Sequence, residues 1–65
     1  MKMLKFKLPE NLAAHFATWT FNNEVRIVLS YAKDDWFNGS IFCYCAVPAD
    51  KEEAIKAEFK NYIQS

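Results

Sequence analysis

The chain has 65 residues, with eight Lys or Arg against eight Asp or Glu, so its formal net charge is 0. Hydrophobic residues make up 52% and aromatics 17%, which excludes a disordered chain, since such chains are poor in aromatics and usually carry net charge. One Gly and two Cys exclude collagen-like and disulfide-scaffold classes, a coiled-coil composition does not fit either, and the length suits one compact domain over 1–65.

A domain this small buries only about 60% of the surface its unfolded chain exposes. Yet eleven aromatic side chains are present, and each can bury on the order of 150–250 Å². Such a surplus implies an exposed apolar patch, a homodimer or a docking partner, against the plainer alternative of a tightly packed aromatic core. The zero net charge argues against a general nucleic-acid binder. It also hides a polarity: residues 1–33 carry 5 − 2 = +3 and residues 34–65 carry 3 − 6 = −3.

In chain order, residues 2–8 alternate, with Leu4, Phe6 and Leu8 on one face and Lys5 and Lys7 on the other. This is the period of a half-buried strand, and its outer lysines suit a sheet edge. Pro9 ends it. Leu12, Phe16 and Trp19 then fall on one helical face, whereas residues 18–22 are strand formers. The pattern predicts a helix over 10–17 and a strand over 18–22. Asn22-Asn23 signals a turn that tolerates positive φ. Alternation resumes with Val25, Ile27, Leu29 and Tyr31 on one face. A break follows over 33–40, read as a loop across 33–39, because Asp34-Asp35 suits a strand badly. Residues 41–47 are apolar on both faces, which predicts a central strand covered on both sides. Last, Asp50 and Glu53 resemble a capping box, and Ile55, Phe59, Tyr62 and Ile63 form one stripe, predicting a helix over 49–63. The sum is an α+β domain of order β-α-β-β-β-α: a small antiparallel sheet of three or four strands with an amphipathic C-terminal helix packed on one face.

The start MKMLKFKLPE lacks the uninterrupted apolar core of a secretory signal, and no run reaches the 18 apolar residues a membrane span needs. The expectation is a cytoplasmic protein that does not enter membranes.

Few residue sets carry chemistry. Cys43 and Cys45 share one strand face, but only His15 could join them as a soft ligand, short of the four that tetrahedral zinc takes. Two buried apolar thiols are the plainer reading. No nucleophile and base are spaced as a pair, so we expect no catalytic residues, no metal, no cofactor and no enzymatic activity. Asp34 and Asp35 lie beside Trp36 and Phe37, an aromatic and acidic set with the anatomy of a binding anchor, and Glu52 and Glu53 add acid at the start of the last helix.

Phe42 and Tyr44 alternate on one strand face and could stack bases, helped by Lys5 and Lys7. With Asn38-Gly39-Ser40 before them, they resemble the Gly-then-aromatic order of an RNA-recognition strand. That module is usually longer than this chain and surrounds its platform with basic residues. The plainer placement of the two rings is under a helix or in a dimer interface.

The leading expectation is therefore a non-enzymatic protein-binding module or small inhibitor. It would dock its acidic and aromatic face, Asp34, Asp35, Trp36, Phe37, Glu52 and Glu53, on a basic or nucleic-acid-binding surface. Phage and mobile-element proteins of this size that block a host complex, anti-CRISPR proteins among them, are the general type. The alternatives are single-stranded nucleic-acid binding through Phe42, Tyr44, Lys5 and Lys7, and a homodimeric structural accessory domain.

Overall fold

The computed structural model describes residues 1–34 and 39–64. Strand β1 (Lys2–Pro9) leads through a 3₁₀ turn (Glu10–Leu12) into helix α1 (Ala13–Asn22). Strands β2 (Arg26–Asp34) and β3 (Gly39–Val47) follow, then helix α2 (Ala49–Glu58), a second 3₁₀ turn (Lys60–Tyr62) and the short strand β4 (Ile63–Gln64). The sheet order is β2-β3-β1-β4 with every neighbouring pair antiparallel. Each β-α-β crossover therefore spans one intervening strand, the split β-α-β arrangement of ferredoxin-like folds. The α+β class, an antiparallel sheet of four strands where three or four are expected, and the C-terminal helix on one face stand as the sequence predicts.

The core lies between that face and both helices. Leu4, Phe6 and Leu8 of β1 and Cys43, Cys45 and Val47 of β3 pack with Phe16, Ile55 and Phe59. The alternation predicted for β1 places those residues inward and leaves Met3 and Lys7 exposed. Phe59 gathers the aromatic rings: its centroid lies 4.8 Å from Phe16, 5.7 Å from Trp19 and 6.4 Å from Phe6. These tilted and edge-on pairings are the favourable ones for aromatic quadrupoles.

Several expected boundaries move. Residues 18–22 continue α1, because Phe16 and Thr20 bury one turn apart. The hydroxyls of Thr18 and Thr20 donate to the carbonyls of Ala14 and Ala17, at 3.0 and 2.9 Å, so the helix satisfies them internally. Packing thus overrides strand propensity. The final helix ends at Glu58, not 63: Phe59 adopts φ −124°, ψ 34°, and the chain turns so that Ile63 and Gln64 pair with Phe6 and Lys5. The fourth strand is therefore at the C-terminal end, and β1 is an inner strand. Asp50 lies inside the first turn of α2, where it complements the helix dipole. Pro48 is the N-cap, with no side-chain cap bond.

Strand β2 carries the most consequential difference. Its register slips at a bulge between Ile27 and Leu29, so Ile27 sits opposite Cys45 on the core face while Leu29 and Tyr31 sit opposite Tyr44 and Phe42 on the other. One extra residue moves everything after it to the opposite face. The strand also runs on through Asp34, whose backbone pairs with Gly39, instead of breaking at 33.

The turn between α1 and β2 is a Schellman motif. Val25 N–H donates to Thr20 O at 2.9 Å and Glu24 N–H to Phe21 O at 3.3 Å. The positive φ that the motif requires falls on Glu24, at 58°, and not on either Asn. Asn23 instead donates its Nδ2 to Trp19 O at 2.9 Å. A left-handed L-residue costs about 1–2 kcal/mol, of which Gly returns part through its own chain entropy. Glu24→Gly is thus expected to raise stability by about 0.5–1 kcal/mol, read as a higher urea midpoint at unchanged slope. A lower midpoint would show that the Glu24 side chain stabilises the turn.

Candidate functional site

Both helices occupy one face of the sheet, so the other face has no covering layer among the described residues. The strand registers set its side chains in cross-strand rows, three of which have all their side chains described. Met3, Ala46 and Arg26 form the first; Lys5, Tyr44 and Leu29 the second; Lys7, Phe42 and Tyr31 the third. Phe42 and Tyr44 are thus not beneath either helix, and the described residues cover β3 on one side only. Its Cys43, Cys45 and Val47 are buried, while Phe42 and Tyr44 are half-buried on the open side. Met3, Leu29 and Tyr31 remain 55%, 54% and 41% exposed, too much apolar surface in one place to count as scattered.

The rings have partners. Tyr31 and Phe42 stack with centroids 5.2 Å apart and planes inclined by 14°. Lys5 Nζ lies 5.7 Å from the Phe42 centroid and 5.4 Å from that of Tyr44, and Lys7 Nζ lies 5.8 Å from Phe42. Each such cation–π contact contributes about 0.5–1 kcal/mol at an exposed position. Among the described side chains, Lys5, Lys7 and Arg26 give the face three cations, and none is a carboxylate. The polarity seen along the chain is therefore a polarity in space, since Asp50, Glu52, Glu53 and Glu58 all belong to α2 on the opposite side.

Of the predicted site residues, the structure brings Lys5, Lys7, Phe42 and Tyr44 together on one surface. Of the acidic and aromatic set, only the side chains of Glu52 and Glu53 are described. Asp35, Trp36 and Phe37, and the side chain of Asp34, lie outside the described residues. Glu52 accepts a hydrogen bond from Lys56 Nζ at 2.9 Å and has Lys2 Nζ at 3.7 Å, and the Lys56 bond holds its carboxyl below the usual carboxylate range. Glu53 is exposed on α2. His15 stands at the helix border, its ring 5.7 Å from Phe59 and its Nε2 3.4 Å from Glu58 Oε1. No group of three His, Cys, Asp or Glu gathers among the described residues. A cleft of about 40 Å³ lined by Glu10, Ala32, Gly39, Ser40 and Ile41 has room for water but not for a substrate.

Leu29, Tyr31 and Arg26 join the site without having been singled out in the sequence. Their one trace there is Ile27-Val28-Leu29, three apolar residues in a row that break the alternation at the bulge. No helix among the described residues is long and apolar enough to cross a membrane. Comparison with protein-family models, curated proteins and solved structures finds no match.

Cys43 and Cys45 belong to the core and not to this face. Desolvation raises both thiols, Cys45 to about 12 with the neighbouring Cys43 adding to the shift. The folded chain then keeps protons that the unfolded chain releases above the ordinary value of 9.0, so stability falls as pH rises from there toward 12. Urea unfolding at stepped alkaline pH should show that decline, and Cys45→Ala should flatten it. An equal slope in the variant would assign the decline to other groups.

Proposed function

We propose that the chain is a non-enzymatic module that binds single-stranded nucleic acid on the open face of its sheet. The observation that carries this is the pairing of Lys5 with Tyr44 and of Lys7 with Phe42 across β1 and β3, on a face without a described carboxylate. Unpaired bases stack on aromatic rings irrespective of sequence, and phosphates take lysine ammonium groups. The two interactions substitute for one already present: a base arriving on a ring displaces the ammonium, which moves to the phosphate of the same strand. Topology alone implies no function. Nonetheless, an uncovered four-stranded sheet with aromatics on its inner strands is the platform on which RNA-recognition modules stack bases; here the rings stand on inner strand β3, and inner strand β1 supplies lysines instead.

Other uses of the molecule find less support. Docking on a basic partner would draw on Glu52, which is already engaged by Lys2 and Lys56. A homodimer closed through the open face would bring together two surfaces that each carry Lys5, Lys7 and Arg26 and no described carboxylate, and like charges juxtaposed cost affinity. A cytoplasmic site of action fits a nucleic-acid ligand and belongs to the same proposal.

Fluorescence anisotropy of labelled oligothymidine and oligouridine at low salt tests the proposal, with duplex DNA as the control. Single strands should bind and the duplex should not compete, because its bases are not free to stack. Phe42→Ala and Tyr44→Ala should each weaken binding by about 5- to 150-fold, the equivalent of about 1–3 kcal/mol per stacked base, with thermal unfolding nearly unchanged. Absence of single-strand binding, or full affinity in the double variant, would overturn it. A doubled mass in light scattering that Leu29→Lys abolishes would favour the dimer instead.

A further inference from the structure

We infer that a bound strand runs lengthwise along β1 and β3, its phosphates over β1 and its bases over β3, instead of crossing the sheet from edge to edge. This rests on the nucleic-acid reading above and specifies the path and smallest ligand of that site.

The two kinds of group are sorted by strand. Both cations of the pairing, Lys5 and Lys7, stand on β1, and both stacking rings without a covering layer, Tyr44 and Phe42, stand on β3. Successive same-face residues on a strand are about 6.6 Å apart, close to the step between nucleotides in an extended, unstacked strand. A line of charge thus runs beside a line of rings at the same spacing. The position of Lys5 Nζ narrows this further. It lies within 5.7 Å of both ring centroids, between the two stacking positions, where the phosphate linking two stacked nucleosides would fall. Lys7 Nζ is near Phe42 alone, at 5.8 Å, and so takes the phosphate at the outer end. The smallest ligand that fills the face is a dinucleotide with one linking and one terminal phosphate.

A crosswise path meets the groups in the wrong order. Along the row of Lys7 it would reach Phe42 and then Tyr31, but those rings are already stacked on each other and admit no base between them. Along the row of Lys5 it would find one cation, one ring and then Leu29, which offers no stacking surface. Only a diagonal route would add Arg26, which stands on β2 beside Ala46, in a row without an aromatic ring.

The salt dependence of oligothymidine binding separates the paths. Each phosphate neutralised on a single strand contributes about −0.7 to the slope of log K against log salt. The lengthwise path predicts a slope near −1.4 from two phosphates, a loss of about half of it in each of Lys5→Gln and Lys7→Gln, and no change in Arg26→Gln. All three exchanges are at the surface, and circular dichroism melts should confirm folding. A slope that drops with Arg26→Gln, or that is indifferent to Lys5→Gln, overturns the path while leaving the nucleic-acid reading in place. Failure of the wild-type chain to bind any single strand overturns both.

Discussion

Phe59 is the point at which the two helices and the sheet meet. It ends α2, packs edge-on against Phe16 and Trp19 of α1 and reaches Phe6 in the middle of β1. Because its partners come from α1 and β1 while it stands at the end of α2, the ring holds both helices to one side of the sheet. The consequence is geometric. Two helices of ten residues each cover one face of a four-stranded sheet, and no other described element covers the opposite face. The apolar surplus evident in the composition is thus split. Phe6, Phe16 and Phe59 enter the core, and Tyr31, Phe42 and Tyr44 remain at the water boundary.

An uncovered aromatic surface must be reconciled with water. The rings here are not bare: Lys5 spans Phe42 and Tyr44, and Lys7 covers Phe42. Long lysine stems shield apolar surface while their ammonium groups stay hydrated. The half-burial of both rings owes something to that shielding, and it is reversible. A side chain held by cation–π attraction alone can swing away at a cost of about 1 kcal/mol, which a single stacked base would offset. The β1 lysines that make the face tolerable in isolation also make it selective for ligands carrying negative charge next to flat apolar groups.

Much of this is legible in the sequence. Strict alternation in residues 2–8 identifies β1 and its two faces, and the stripe of Ile55 and Phe59 identifies α2. Both patterns survive because one period dominates each segment. Residues 18–22 misled because Thr, Trp and Phe favour strands when isolated, whereas here the burial of Phe16 and Thr20 decides. The bulge at Val28 leaves only an ambiguous trace: with apolar residues at 27, 28 and 29, either register fits, and only pairing with β3 selects one. Lys5, Lys7, Phe42 and Tyr44 could be proposed together as a set. Their direct opposition could not, since the adjacency of β1 and β3 depends on the crossover through α1.

The formal neutrality of the chain takes its meaning from this architecture. Equal numbers of charges would cancel if mixed, but the open face holds Lys5, Lys7 and Arg26 while the described carboxylates lie elsewhere, four of them on α2. At physiological ionic strength the screening length is about 8 Å, comparable to the thickness of one packed layer, so a strand on the sheet meets the near cations and is largely shielded from the acids behind them. The same separation discourages the simplest competing assembly. Two open faces brought together would bury aromatic surface, but they would also desolvate like charges with no described carboxylate to receive them. A polyanion meets no such penalty, and its bases supply the flat surface that a second copy would otherwise provide.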